Sequence, residues 1–262
     1  MISVDGKKQK NTRLSSVQNL TSGKTVHYSR NALNAPRGVH TVEAEVLCMN
    51  ILVTGFEPFG KETVNPSLEV LKNLPDTVLG ADILKLEVPT VRGTSLSFIT
   101  KAIEQWQPDA VLSIGQAGGR ANITVERIGI NVDDYPIADN AGNQPIDEAV
   151  IPDAPAAYFL TLPIKAVVKR LREHRIPASI SNTAGTFICN HVCYGTAHFA
   201  ASQRKKIKTG FIHIPFLPEQ VIEKPSYTPS MPLDTAVQAI IVVIEAIVEN
   251  QTDISITGGA EC

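Results

Sequence analysis

Three residues of this 262-residue chain have the types that hydrolytic acyl transfer needs: Cys189, His213 and Glu126. Such chemistry needs a thiolate to attack, an imidazole to act as base and then as acid, and an acceptor that orients the imidazole. Cys189 ends the run Ser181-Asn182-Thr183-Ala184-Gly185-Thr186-Phe187-Ile188-Cys189, a small, polar, glycine-containing turn that leads into an apolar helical pattern. A thiol at a helix start faces free N–H groups and the positive end of the helix dipole, and both favour the anion. The turn follows a strand-like segment, Ala178-Ser179-Ile180-Ser181. Strand, tight turn, nucleophile and helix is a recurrent way to expose a reactive atom at a sheet edge. A cysteine in this place can equally be a buried packing residue.

His213 stands at the end of the apolar run Thr209-Gly210-Phe211-Ile212-His213-Ile214, just before Pro215. Glu126 lies within 123–131, a stretch that reads as one long strand. With a period of two, Glu126 shares a face with Thr124, Ile128 and Ile130. A carboxylate on so apolar a face is costly unless it is paired, whether with an imidazole or with an Arg or Lys.

The elements that must carry these residues alternate. Ile51-Leu52-Val53 reads as a short buried strand, and Asn65 and Pro66 open a helix over 66–73 as cap and first helical residue. Strands follow at Ala81–Val88 and 110–115. Between them, Leu96, Ile99, Ile103 and Trp106 define one face of a helix over Thr94–Trp106. After a proline-punctuated loop come a basic helix over 163–173, a strand over Ala178–Ser181, a helix over 189–203, a strand over 209–214 and a long helix near 233–249. Alternation of this kind predicts an α/β, three-layer α/β/α domain with a largely parallel central sheet. Sites in such sheets form at strand carboxyl ends.

The composition shifts at Met49. Residues 1–48 carry seven Lys/Arg against three Asp/Glu, whereas the rest carries 17 against 23. The first segment lacks core periodicity and reads as a disordered or non-family extension. The domain is expected over 49–250, with 251–262 a frayed tail. A net charge of −2 gives no nucleic-acid bias. The apolar run near 236–248 is interrupted by Gln238 and Glu245, so it reads as a core helix and not a membrane span. Four cysteines in a chain of this length make no disulfide scaffold and fit a reducing compartment. Cys189 and Cys193 lack a second ligand pair at zinc-like spacing, so no metal is expected.

Several segments also carry a resemblance: Thr54-Gly55-Phe56-Glu57-Pro58-Phe59-Gly60, Asn65-Pro66-Ser67, Gly115-Gln116-Ala117-Gly118-Gly119-Arg120, Glu126-Arg127, the 184–190 turn and Phe211-Ile212-His213-Ile214-Pro215. In this order, from about Met49 to about residue 248, the chain resembles the pyroglutamyl-peptidase I (pyrrolidone-carboxylate peptidase) family. The resemblance implies a cytoplasmic cysteine exopeptidase that removes N-terminal pyroglutamate, uses no metal or other cofactor, and assembles as a homo-oligomer, commonly a tetramer. It places the triad on Cys189, His213 and Glu126. The chain departs from the family at Tyr135-Pro136-Ile137-Ala138-Asp139-Asn140, where members often carry Ala-Arg-Ile-Pro-Asp-Asn, so an arginine is missing from that segment.

Pyroglutamate is a neutral lactam with one N–H, one C=O and an apolar ring. A pocket for it would be aromatic and uncharged, with a few amide-type partners. Phe56 and Phe59 are expected to clasp the ring, Gln116 to offer donor and acceptor, and Ile188 to sit beside the nucleophile. Two other readings share these residues: an amidohydrolase of small lactams or glutamine-like amides, and a catalytically silent peptide-binding relative.

Overall fold

A computed structural model describes residues 49–204 and 206–259; the expected extension over 1–48 lies outside the described residues. The chain runs β1 (Asn50–Phe56), α1 (Pro66–Asn73), β2 (Thr77–Val78), β3 (Ala81–Val88), α2 (Thr94–Trp106), β4 (Ala110–Gln116), β5 (Ile123–Glu126), β6 (Ile128–Ile130), β7 (Ala157–Phe159), α3 (Ile164–Glu173), β8 (Ala178–Ser181), α4 (Ile188–Ser202), β9 (Lys208–Ile214), a 3-10 turn (Pro218–Val221) and α5 (Leu233–Glu249). Local signals account for the boundaries. Asn65 caps α1, its Oδ1 accepting from the Ser67 N–H at 3.1 Å ahead of Pro66. β1 and β4 are short buried runs suited to the middle of a sheet.

Seven strands form one sheet in the order β2-β3-β1-β4-β9-β5-β8. On one face, α1, α3 and α5 pack against Ile51, Val53, Leu112, Ile114 and Ile212. On the other, α2 and α4 cover Leu52, Val111 and Phe211. Period two along β9 therefore sends His213, like Phe211, toward the α2 and α4 layer. The three-layer expectation is met, and the sheet is mostly parallel. β1 pairs in parallel with β3 and β4, β4 with β9, and β5 with β8, whereas β2 runs antiparallel to β3 and β5 antiparallel to β9.

Two features depart from the sequence reading. The stretch 123–131 is two strands, not one. At Arg127 the chain changes partners: its N–H donates to the Ser181 carbonyl beside β8, while its carbonyl accepts from the Leu160 N–H beyond β7. β6 then pairs with β7 in a separate two-stranded sheet, so Ile128 and Ile130 do not continue the face of Glu126. Residues 251–259, expected to fray, instead make defined contacts. The Asp253 carboxylate accepts from the Lys165 and Ala166 N–H groups at 3.0–3.1 Å and so caps α3. The Gly258 carbonyl accepts from Arg127.

Candidate active site

Cys189 is the second residue of α4. The first bond inside that helix runs from the His191 N–H to the Phe187 carbonyl, so the N–H groups of Ile188, Cys189 and Asn190 have no acceptor within the helix. The helix start is clamped from the side. Buried Asn190 accepts from the Ile130 N–H at 3.0 Å and donates to the Ile130 and Val132 carbonyls at 2.9 and 2.8 Å. The preceding turn is fixed by Thr186, whose Oγ1 donates to the Asp134 carbonyl at 2.6 Å. Gly115 makes room for the thiol, since a Cβ there would stand 2.9 Å from Cys189 Sγ. Gly115 pairs with His213 across the β4–β9 ladder, which sets the thiol beside the imidazole's strand position.

The imidazole and the carboxylate are joined. His213 and Glu126 are both almost fully buried, with Nδ1 to Oε1 at 2.8 Å. Thr124 lies directly opposite His213, and Glu126, two residues on, reaches back diagonally along the same face. An ionised carboxylate only accepts, so Nδ1 carries the proton and Nε2 is left basic. Among the described residues Nε2 has no protein hydrogen-bond partner.

The sequence reading posed an imidazole or a basic partner for Glu126, and the structure supplies both. Arg120 Nη1 donates to Glu126 Oε1 at 2.7 Å and to Thr124 Oγ1 at 2.6 Å, and Nη2 reaches the Thr183 carbonyl at 3.2 Å. The turn before it requires glycine: Gly119 has a φ of +90°, and a Cβ on Gly118 would stand 2.2 Å from the Phe216 ring. The Tyr135-Pro136 segment does lack arginine, yet the site has one, delivered from the loop after β4.

The surroundings set the protonation states. Burial pushes the Cys189 thiol up to about 12; the Glu126 charge adds to this and Arg120 opposes it. The expected helix-start stabilisation of a resting thiolate is outweighed by desolvation. Burial also holds the His213 imidazole below its ordinary value, against the pull of the Glu126 hydrogen bond and charge. Burial alone would raise Glu126, but the His213 hydrogen bond and charge, with Ser181 and Arg120, hold it below the usual carboxylate range. The resting pair near neutral pH is therefore a thiol and a neutral imidazole.

A tight cavity opens onto the thiol, lined by Phe56, Phe59, Asn65, Thr90, Gln116, Phe187, Ile188 and Cys189. All four expected pocket residues stand together here beside the Cys189 thiol. Thr90 and Phe187 were not anticipated. Phe187 lay within the singled-out turn, and its ring packs against Phe59 at 5.8 Å and edge-on to Tyr135 at 4.8 Å. Thr90 is held by Glu57, whose Oε1 accepts from its N–H at 3.0 Å and whose carbonyl accepts from its hydroxyl at 3.0 Å. No charged side chain lines the cavity.

A second histidine–carboxylate pair joins His191, on the helix that carries Cys189, to Asp133. His191 Nδ1 bonds Asp133 Oδ2 at 2.9 Å, and Arg92 Nε donates to that oxygen at 2.8 Å. His191 Nε2 accepts from the Gly93 N–H at 3.0 Å.

Known proteins resemble this chain over most of its length. The family model for pyroglutamyl peptidase matches residues 49–250. A pyrrolidone-carboxylate peptidase of Treponema denticola is 64% identical over 82% of this chain and 100% of its own length. One from Finegoldia magna is 57% identical over 80% of this chain and 99% of its own. Among solved structures, pyroglutamyl peptidase I from Bacillus amyloliquefaciens shares 43% identity at a TM-score of 0.77, covering 80% of this chain and 99% of that one. Pyrrolidone carboxyl peptidase from Thermococcus litoralis shares 38% at 0.77, with the same coverage. With Cys189 opening onto an uncharged cavity, a buried His213–Glu126 pair on the strands beside it, and the family model matching residues 49–250, this chain belongs to the pyroglutamyl peptidase family.

Proposed function

We propose that this chain is a cysteine exopeptidase that removes pyroglutamate from peptide N-termini through a thioester, with Cys189, His213 and Glu126 as its catalytic residues. Cys189 Sγ attacks the carbonyl carbon of the pyroglutamyl residue while its proton passes to His213 Nε2. The oxyanion is met by backbone N–H groups at the start of α4, that of Cys189 included. His213 then gives the proton to the leaving amine, and the N-terminally shortened peptide departs. His213 next takes a proton from water, which attacks the thioester; the C–S bond breaks, pyroglutamate is freed, and the imidazolium returns the proton to Cys189 Sγ. Glu126 keeps the imidazole in the Nδ1–H tautomer and stabilises its cation; Arg120 keeps Glu126 ionised and in place.

The observation that carries the substrate assignment is the cavity's lining: three phenylalanines, three uncharged polar residues, an isoleucine and the nucleophile, with no carboxylate to receive an ammonium. An ordinary peptide N-terminus would lose hydration there without a counter-charge, at a cost of several kcal/mol, on the order of a thousandfold or more in binding. The test is release of a chromophore from pyroglutamyl, glutaminyl and prolyl amides. The expected kcat/KM order puts pyroglutamyl far ahead, and comparable values for pyroglutamyl and glutaminyl amides would overturn the reading.

No helix among the described residues is long and apolar enough to cross a membrane. A cytoplasmic location and a homotetramer are supported by the family resemblance, and light scattering of the purified chain checks the tetramer.

A further inference from the structure

The structure assigns Gln220 the task of fixing which end of the Gln116 carboxamide faces the substrate. The inference rests on the reading above that Gln116 meets the lactam. Gln220 lies in the 3-10 turn after β9 and is nearly buried. Its Oε1 accepts from the Leu217 N–H at 2.9 Å. A backbone N–H only donates, so the oxygen of this amide is pinned there and its Nε2 points the other way. Nε2 lies 2.8 Å from Glu62 Oε2 and 2.9 Å from Gln116 Oε1, with the Val64 carbonyl at 3.4 Å. Glu62 is an acceptor-only carboxylate, held through Oε1 by Lys224 at 2.7 Å. Both ends of the Gln220 amide are thus set by partners whose polarity cannot change.

A donor at Gln220 obliges Gln116 to present its oxygen toward it. The amino group of Gln116, on the other branch, has no protein partner among the described residues, and Gln116 lines the cavity. The cavity therefore meets its ligand with a fixed N–H donor at this position, suited to the ring carbonyl of pyroglutamate and of no use to proline, which lacks that carbonyl. Gln220 is a positioning residue: it touches Gln116 and acts through it. Glu62 shares the loop after β1 with Phe59, so the same amide also ties that loop to the end of β4.

Gln220→Glu tests the assignment. One carboxylate oxygen still accepts from Leu217, but the other now faces Gln116 as an acceptor. Gln116 must turn its amino group toward it and point its oxygen into the cavity. The expected result is a KM for a pyroglutamyl amide raised about tenfold with kcat changed less than about threefold, and a pyroglutamyl-to-prolyl ratio reduced by about the same factor as KM. Inhibition by the free lactam 2-pyrrolidinone should weaken in proportion. Glu62→Gln combined with Gln220→Glu removes the like-charge pair while keeping the reversed polarity, and should show the same loss. Gln220→Met, which unlocks the amide without reversing it, should fall between wild type and Gln220→Glu. Thermal melts accompany each variant, and where Gln220→Glu does not fold, the double variant and Gln220→Met decide. Gln116→Leu separates the two levels. If it keeps full discrimination, Gln116 does not read the lactam and the underlying assignment fails. If it loses discrimination while the folded Gln220 variants keep wild-type KM and ratio, the orienting role of Gln220 is overturned and the pocket assignment stands.

Discussion

His213–Glu126–Arg120 and His191–Asp133–Arg92 are nearly the same object built twice. In each, a histidine whose side chain is 4% exposed bonds a fully buried carboxylate through Nδ1, at 2.8 and 2.9 Å, and an arginine shares the carboxylate oxygen that the ring uses. The difference is at the far nitrogen. His191 Nε2 is occupied by the Gly93 N–H, so that ring is consumed as a bracket between α4 and the loop before α2. His213 Nε2 has no protein partner among the described residues, and it lies on the strand paired with Gly115, whose lack of a Cβ leaves room for the thiol. A buried histidine–carboxylate–arginine group is therefore no signature of catalysis by itself. Under the proposed mechanism, a basic nitrogen left unspent beside the thiol is what distinguishes the working group from the structural one.

The largest effects should fall on the working group. Cys189→Ser and His213→Ala are each expected to cut kcat/KM by on the order of a thousandfold or more. His191→Ala should spare activity, leaving kcat/KM within about tenfold, while costing about 2 kcal/mol in denaturant unfolding because Asp133 and Gly93 each lose a buried partner. A His191→Ala variant as dead as His213→Ala would dissolve the distinction.

Glu126→Gln should be intermediate. Arg120 and the His213 Nδ1–H both donate to Oε1, so the amide oxygen is held there and the ring keeps its tautomer. A loss of about ten- to a hundredfold is expected, well short of the effect of a reversed tautomer. The same variant sharpens the pH dependence. His213 must be neutral to take the thiol proton, and burial keeps its pKa below the ordinary 6.5, so activity falls as pH drops through a midpoint under 6.5. Glu126 pulls that pKa up, so Glu126→Gln should move the acid limb of kcat/KM to still lower pH. Movement to higher pH would contradict the electrostatics described.

Cys193→Ala should have the smallest effect. Cys193 is 3% exposed, lies one turn beyond the nucleophile and packs in the apolar layer under α4. A stability loss of about 1 kcal/mol and a kcat within about threefold of wild type are expected from unfolding midpoints and initial rates. Abolished turnover would reassign the nucleophile.

The helices and central strands were legible because each carries its own signal: Asn65-Pro66 for α1, the 96–99–103–106 stripe for α2, short apolar runs for β1 and β4. The division of 123–131 was legible only in part. The apolar positions shift from Ile123 and Val125 to Ile128 and Ile130 across Glu126-Arg127, a change of phase that marks a break, but nothing local records that the Arg127 N–H and carbonyl serve different sheets. β2 and β7 are too short, at two and three residues, to show a period. Strand direction is also absent from hydropathy, so the antiparallel junction of β5 with β9 had no sequence mark. At the site, Cys189, His213 and Glu126 stood out because polar residues of those types are conspicuous at the ends or on the faces of apolar segments. Arg120, Thr90 and Gln220 did not, because each matters through a partner distant in sequence or on a neighbouring loop. The thiol's elevated pKa was misjudged for the same reason: the helix start is local and visible, whereas the burial that outweighs it comes from the assembled fold.

The place of β9 in the sheet has a consequence for when this hydrolase becomes active. Among the described residues β9 alone joins the ladder β2-β3-β1-β4 to the pair β5-β8, and it brings His213 with it. A chain leaving the ribosome from its N-terminus exposes carboxylate and thiol first and the base last. Until β9 pairs with β4 and β5, His213 is not beside the Cys189 thiol, so the proposed triad is complete only once the last strand of the sheet is in place.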